Sequence, residues 1–592
     1  AISIGFSALN ALTLSPALCA LFLKPHSTDG HGGEKKMSWV DRFHTSFNAA
    51  YDSVLKKYKK RVVFFIHKKW LSFGLVAGSI VLLVFFMKVT PTGMVPTEDT
   101  GTIMGAVTLP PGTSQERAEE ILARVDSLVA ADPAVQSRTI ISGYSFIGGQ
   151  GPGYGSVIIK LKPWEERSVM QNADMVYISL FMRAQKVIKD AQVLFFAPPM
   201  IPGYSASSDI ELNMQDKTGG DKTIFYNSVL QFLGALNQRP EIAMAYSSYA
   251  MNFPQISVDV DAAKCKRAGI SPASVLDVLG SYCGGAYISN YNQFGKVYRV
   301  MLQASPEYRL DEQALDNMFV RNGTEMAPIS QFVTLKRIMG SEVENRFNLF
   351  SAITVNVNPA PGYSTGEVQQ VIKEVANQSL PAGYGYEYGG ISREEAASGG
   401  TQTIFIYAIC ILLIFLILAC LYESFLIPFA VIFSVPFGLM GSFLFAKLFG
   451  LENNIYLQTG VIMLIGLLAK TAILITEYAI ERRRKGMGII ESAYSAAQVR
   501  LRPILMTVLT MIFGMLPLMF ASGAGANGNS SLGTGVVGGM AIGTLALLFV
   551  VPVFYIAFEF LQEKIRKPME VEADLQVLQE QEKSANEREN HK

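Results

Sequence analysis

Histidine and cysteine are scarce, five of each in 592 residues, and tryptophan is scarcer still at three. The histidines (His26, His31, His44, His67 and His591) have no metal-ligand spacing, so no metal centre is expected. Cys19, Cys410 and Cys420 lie in apolar runs and read as packing residues, while Cys265 and Cys283 are open to pairing or to remaining free thiols. Charge is low as well: 17% of residues are charged, the net charge is +1 and mean hydropathy is +0.27. That composition excludes an ordinary soluble protein, and the neutral balance gives no footing for a nucleic-acid partner. No G-x-x-x-x-G-K-[ST], H-E-x-x-H, G-x-S-x-G or C-x-x-C motif occurs. Nucleotide-driven transport and the common hydrolase and redox chemistries therefore have no support. The expectation is a non-enzyme without a bound cofactor.

Long uncharged runs are what the chain has in abundance. They cover 1–23, 71–87, 401–422, 424–446, 453–469 and 503–558, the last interrupted by Gly, Asn and Ser at 521–535. Read as helices, these make seven candidate membrane segments. Ala1 lies inside an apolar run without a signal-peptide pattern, so the chain is expected to begin inside a membrane helix of a longer protein. Residues 37–58 place Met37, Val40, Phe43, Phe47, Tyr51, Val54 and Tyr58 on one stripe, which predicts an interfacial helix lying on membrane lipid. Seven Lys and Arg residues between 56 and 69, ERRRK at 481–485 and EKIRK at 563–567 all fall on one side when the spans alternate. By the positive-inside rule that side is cytoplasmic. The block from 89 to 400 then lies on the other side.

Within that block, 106–129 and 355–380 repeat one order: alternating strand, Pro-Gly turn, Ser/Thr cap and amphipathic helix. The repeat predicts two βαβ-type units with an α/β insertion around 256–306. The tail, 561–592, is charged and expected to be disordered.

The sharpest single residue is Lys470. Fourteen residues separate it from Tyr456, roughly 21 Å of helix, which puts its ammonium near mid-depth of a bilayer core about 30 Å thick. An ionised lysine there costs about 2.5–3.5 kcal/mol, and snorkelling works only within a turn or two of a helix end. Lys470 needs a carboxylate, and the spans offer only Glu477, two turns away. Arg500 and Thr507 share a face of the next helix two turns apart; taken alone, Arg500 reads equally as a cytoplasmic interfacial anchor, and Thr507 reads as a hydroxyl bonding back to its own helix.

GLLAKTAILITEYA (466–479), ACLYESFLIPF (419–429), RLRPILMT (500–507) and GTGVVGGM (533–540) closely resemble the resistance–nodulation–division (RND) efflux pumps, and TLSPALCALFLKP (13–25) and LPPGTS (109–114) agree. The hydrophobe/amphiphile multidrug branch is the best match, over what would be the carboxy-terminal half of such a pump. The resemblance implies an α+β membrane protein: a transmembrane helix bundle of one partial and six full helices, with periplasmic ferredoxin-like porter subdomains and a docking subdomain. The implied layout is a partial helix (1–25), a cytoplasmic loop with the interfacial helix (26–70), a membrane helix (71–88), a first porter subdomain (89–205), a docking subdomain with porter strands (206–340), a second porter subdomain (341–400), five membrane helices (401–560) and the tail (561–592). It also implies a proton relay through Lys470, Arg500 and Thr507, powered by the proton-motive force, with acidic partners in an amino-terminal half absent from this chain. The segment 141–155 resembles a glycine-rich switch loop with Tyr144 and Phe146 as its aromatics, and 193–204 a pocket-lining strand with Phe196 facing inward; Met104 joins them as a substrate contact. Implied partners are amphiphilic small molecules, a homotrimer, a periplasmic adaptor and an outer-membrane channel, at the bacterial inner membrane. A heavy-metal exporter of the same superfamily, and a sensing or secretion-assisting membrane protein without transport, are the alternatives.

Overall fold

A computed structural model describes residues 2–22, 39–168, 171–398 and 401–565; the expected tail from 566 onward, and Met37 of the amphipathic stripe, lie outside them. The chain divides into an amino-terminal unit, 1–63, and a large unit, 64–592. In the first, α1 (Ile2–Phe22) runs through Pro16 without ending. The amphipathic α2 (Trp39–His67) continues nine residues past the expected end at 58, because the basic run after it contains no breaker. Phe47 and Val54 are exposed on it.

The large unit opens with α3 (Lys69–Val89). The first α/β layer pair then contains β1 (Thr102–Thr108), α4 (Gln115–Ala130), β2 (Val135–Ser145), β3 (Gly149–Leu161), α5 (Ala173–Val187) and β4 (Gln192–Phe196), with antiparallel strand order β2-β3-β1-β4. Ser114 caps α4 by accepting from the Arg117 N–H, and Gly112 turns the chain at φ +81°. Alternate residues of β1 and β3 (Ile103, Val107, Val157, Ile159) pack on α4 and α5.

The second layer pair starts with β5 (Ile210–Asp216), α6 (Lys222–Leu236) and β6 (Ile242–Tyr246). An insertion follows: β7 (Phe253–Val260), α7 (Ala262–Arg267), α8 (Pro272–Cys283), the hairpins β8 (Ala286–Gln293)/β9 (Lys296–Leu302) and β10 (Phe319–Asn322)/β11 (Glu325–Pro328), and β12 (Val333–Gly340), which returns against β7. The chain then completes the second sheet with β13 (Asn345–Phe347), β14 (Phe350–Pro359), α9 (Thr365–Ser379) and β15 (Tyr384–Tyr388), followed by α10 (Gly390–Ser398). β6 pairs with β14, β14 with β5 and β5 with β15, the same order as in the first sheet. The second layer pair is therefore split, drawing its first half from 210–246, within the 206–340 stretch expected from the sequence to hold a docking subdomain with porter strands, and its second half from 345–388. β5 was hard to see because it is buried on both faces yet carries Asn213, Gln215 and Asp216. All five cysteines are free.

The remaining helices are α11 (Thr401–Tyr422), α12 (Ile427–Ile432), α13 (Val435–Leu448), α14 (Ile455–Arg484), α15 (Ile489–Met519) and α16 (Ala526–Ile565). Counting α12 and α13 as one span, seven helices among the described residues are long and apolar enough to cross a membrane. Two boundaries differ from expectation. α15 begins at Ile489, before its apolar part, and the turn before α16 occupies 520–525 only, since the Asn, Ser and Gly residues from 526 onward are helical.

That glycine-rich stretch is helical because α16 is packed too closely for side chains. A Cβ on Gly539 would lie 2.1 Å from Leu464 of α14 and 2.9 Å from the Gly438 carbonyl of α13. The segment after α3 ties these helices to the layers. The Asn453 N–H donates to the Pro91 carbonyl (2.7 Å), Ile455 N–H to Met94 (3.1 Å) and Gly366 N–H to Thr92 (3.0 Å). The Glu98 carboxylate accepts from the N–H groups of Asn527 (3.2 Å) and Gly528 (2.7 Å). Gly539→Val is expected to lower stability by about 1–3 kcal/mol through overpacking, measured as a fall in thermal unfolding temperature in detergent; Gly234→Val, at an exposed position of α6 with open space around it, is expected to be close to neutral.

Candidate functional site

α14 is capped by Asn454, whose side chain accepts from the Leu457 N–H. One face, including Leu457, Val461, Leu464, Leu468, Ala472 and Ile475, is buried. The other face leaves Thr459, Gly466, Lys470 and Glu477 open. Lys470 has no ion pair or hydrogen bond among the described residues. Its ammonium sits on an uncovered helix face, consistent with the need for a carboxylate that the spans do not supply.

Arg500 is brought to α14, but against Tyr478 rather than Lys470. Its guanidinium lies 4.7 Å from the Tyr478 ring centroid, with Arg482 on the same ring at 4.9 Å and donating to the Tyr478 hydroxyl. The Arg500 Nε is buried without a hydrogen-bond partner. Thr507 donates to the Pro503 carbonyl at 2.9 Å, so its hydroxyl is engaged within its own helix. α14 and α15 run antiparallel through a short turn. Seven residues from Arg500 to Thr507 and eight from Tyr478 back to Lys470 are roughly 10–12 Å each, which puts Thr507 level with Lys470. The sequence reading missed Tyr478, although an aromatic four residues before an arginine on a helix is a usable signal. It also missed the buried Tyr422–Thr476 hydrogen bond (2.6 Å) that ties α11 to α14.

In the first sheet Met104 and Phe196 are directly opposite in the β1–β4 register, on the face turned away from α4 and α5. Met104 is half-buried and Phe196 is covered, at 3% exposure. Tyr144 and Phe146 pack edge to face at 5.4 Å. The two pairs are not brought together: Tyr144 lies opposite Gln150 and Met104 opposite Ile158, eight residues apart along β3. The glycine-rich segment is mostly paired strand, and only 146–148 forms the turn.

The sequence profile of the AcrB/AcrD/AcrF family matches residues 1–559. The chain belongs to this family. Among its relatives is a toluene efflux pump membrane transporter, TtgB of Pseudomonas putida, 34% identical over 564 residues, covering 94% of this chain and 52% of TtgB. The multidrug export protein AcrF of Escherichia coli is 33% identical over 559 residues, 94% of this chain and 53% of AcrF. The multidrug resistance protein MdtF of Escherichia coli is 34% identical over 578 residues, 95% and 54%. The chain thus spans about half the length of the relatives it matches, and it is a membrane protein of the RND type.

A small cleft lies where the connecting segments 94–97 and 199–208 meet the starts of α9 and α10. It is lined by Met94, Pro199, Met200, Ile201, Thr365 and Ile391, with Glu395 at its wall. Pro199, Met200 and Ile201 fall within 193–204, the segment likened from the sequence to a pocket-lining strand, although the strand itself ends at Phe196; Met94, Thr365, Ile391 and Glu395 were not singled out. Glu395 accepts from the Thr365 hydroxyl and from the Gln369 amide at 2.9 Å. Burial pushes its carboxyl above the ordinary range, against the pull of Thr365, Met94 and Gln369. At Glu452, burial and the nearby Glu395 and Glu367 charges all push upward. A carboxyl raised in the folded state contributes stability that is full below its ordinary value and is lost as pH rises through the raised one. Glu395→Gln cannot ionise. Its unfolding temperature is therefore expected to gain on the wild type as pH rises above the ordinary 4.5, and a gap that stays constant with pH would refute the assignment.

Proposed function

We propose that this chain is part of a proton-driven exporter of hydrophobic and amphiphilic compounds, acting at the bacterial inner membrane. The observation that carries the reading is Lys470: an ammonium near mid-depth of α14, on its open face, level with Thr507 and two turns from the Arg500–Tyr478 contact. The relatives' names, which refer to toluene and multidrug export, support the substrate class. The two layer pairs are read as porter subdomains of ferredoxin-like type and the 250–340 insertion as the docking subdomain. The block they form is read as periplasmic.

In this account carboxylates from the portion of the protein outside this sequence meet Lys470. Protonating them removes the attraction and lets α14 and α15 shift. A proton crossing 100 mV releases roughly 2.3 kcal/mol. Arg500 holds the cytoplasmic end of α15 against α14, and the Thr507 hydroxyl, released from Pro503, is available to the relay. Substrate meets the sheet face bearing Met104 and Phe196 and the Tyr144–Phe146 pair, where apolar and thioether surfaces accept varied shapes. A homotrimer, a periplasmic adaptor and an outer-membrane channel complete the path.

The test is dye accumulation in cells lacking their own pumps, with the chain expressed within its native flanking sequence. Lys470→Ala is expected to insert and assemble at wild-type levels and to abolish export. Unchanged export by Lys470→Ala would make Lys470 structural and the relay wrong.

A further inference from the structure

The glycine-rich segment between β2 and β3 is folded around one aromatic ring. Residues 151–154 bulge from β3 opposite Gly143, which takes φ +81°. The bulge lays the Tyr154 ring between Gly148 and Gly151. A Cβ on Gly148 would lie 2.7 Å from the ring and one on Gly151 3.0 Å. These two glycines are thus required by contact with Tyr154, not by freedom of the loop. The Tyr154 hydroxyl donates to Glu342 Oε2 at 2.8 Å. Glu342 belongs to the connection from β12 back to the second sheet, 188 residues away in sequence. A Cβ on Gly151 would also come within 3.4 Å of Glu342 Oε1. Burial, then the Glu342 hydrogen bond, push the phenol up to about 12, so it stays a donor throughout the physiological range. On the other side, Tyr154 stands on the same sheet face as Met104 and Phe196. It lies opposite Thr108, four residues along β1 from Met104, about 13 Å at the strand rise.

We propose that Tyr154 and Glu342 form a latch that fixes the tip carrying Tyr144 and Phe146 relative to the second layer pair, and that this latch is a specificity determinant for the compounds crossing that sheet face. The proposal rests on the export reading above. On that reading compounds crossing the sheet face of Met104 and Phe196 meet the tip beside Tyr154, so a released tip changes the relative handling of large and small compounds without touching the proton relay. The latch is a positioning device. Tyr154 acts by holding Tyr144 and Phe146, and Glu342 acts by holding Tyr154.

The test uses the detergent-purified protein with its native flanking sequence, followed by hydrogen–deuterium exchange over 145–155. Tyr154→Phe keeps the ring that Gly148 and Gly151 embrace and removes only the hydroxyl. Tyr154→Phe and Glu342→Ala are each expected to speed exchange by about three- to tenfold, the range set by one charge-assisted surface hydrogen bond. The double variant is expected to be no faster than either single one, and Glu342→Gln, which retains an acceptor oxygen, to stay within about twofold of wild type. In cells, both single variants are expected to alter the ratio of large-dye to small-dye export by a similar factor. Unchanged exchange, or effects that add in the double variant, would overturn the latch. Faster exchange with an unchanged dye ratio would overturn its role in specificity. Failure of the wild type to export any dye would instead overturn the export reading, while the exchange measurement would still decide whether the latch exists.

Discussion

The stretch from Pro91 to Glu98 supplies acceptors to the amino-terminal ends of three helices. α14 is met through Ile455, α9 through Gly366, and α16 through Asn527 and Gly528. Every helix start leaves backbone N–H groups without intrahelical partners. Here one extended segment satisfies such donors on a helix of the α/β block and on two of the apolar bundle. The Glu98 carboxylate adds the favourable placement of a negative charge at a helix start. Four residues later the chain enters β1. A displacement of α14 or α16 along its axis therefore cannot occur without moving the strand that leads into the first sheet, or without breaking several hydrogen bonds in an extended segment with few substitutes.

This constraint gives the position of Lys470 its consequence. The lysine is on α14, whose first residue is bonded to Met94. α14 is locked to α13 and α16 by glycine contacts and to α11 by the Tyr422–Thr476 bond, so a force on the ammonium is transmitted along a rigid rod. The side of α14 that carries the charge is the side left open. At its other end Arg483 pairs with Glu563 of α16 at 2.7 Å, and Tyr478 receives Arg500 from α15. Ends held by ions and hydrogen bonds, with a middle packed on glycine, favour movement of α13, α14 and α16 as one body over bending of any one of them.

Much of this was legible in the sequence, for identifiable reasons. Apolar runs and their basic ends marked the helices because a bilayer demands about 20 apolar residues and biases Lys and Arg to one side. The Pro-Gly turn and Ser cap before α4 and α9 were visible because the turn needs a positive φ and the helix needs a cap. What was hidden depended on contacts distant in sequence. β5 carries polar side chains, and the strands that pair with it, β14 and β15, come from well over a hundred residues away, so local alternation gave no sign that it is central. The helical glycines of α16 read as a turn because glycine is a breaker unless a neighbouring helix fills the space its side chain would take. The same ambiguity affected GGQG at 148–151: its glycines marked a loop, and Tyr154 explains Gly148 and Gly151 by close approach. Lys470 and Arg500 were identified as residues, but that Arg500 would lie on Tyr478 instead of reaching Lys470 required the packing of α14 on α15.

The central claim is that movement of amphiphilic compounds is driven by protons passing the bundle. Proteoliposomes containing the protein with its native flanking sequence, an imposed pH gradient and two fluorescent reporters, one for lumenal pH and one for dye, test it directly. The account predicts that dye moves only while the gradient stands, that each increment of dye is accompanied by proton flow in the opposite direction, and that a protonophore stops both. Dye movement that continues at the same rate after the gradient is collapsed, with no matching proton flow, would contradict it.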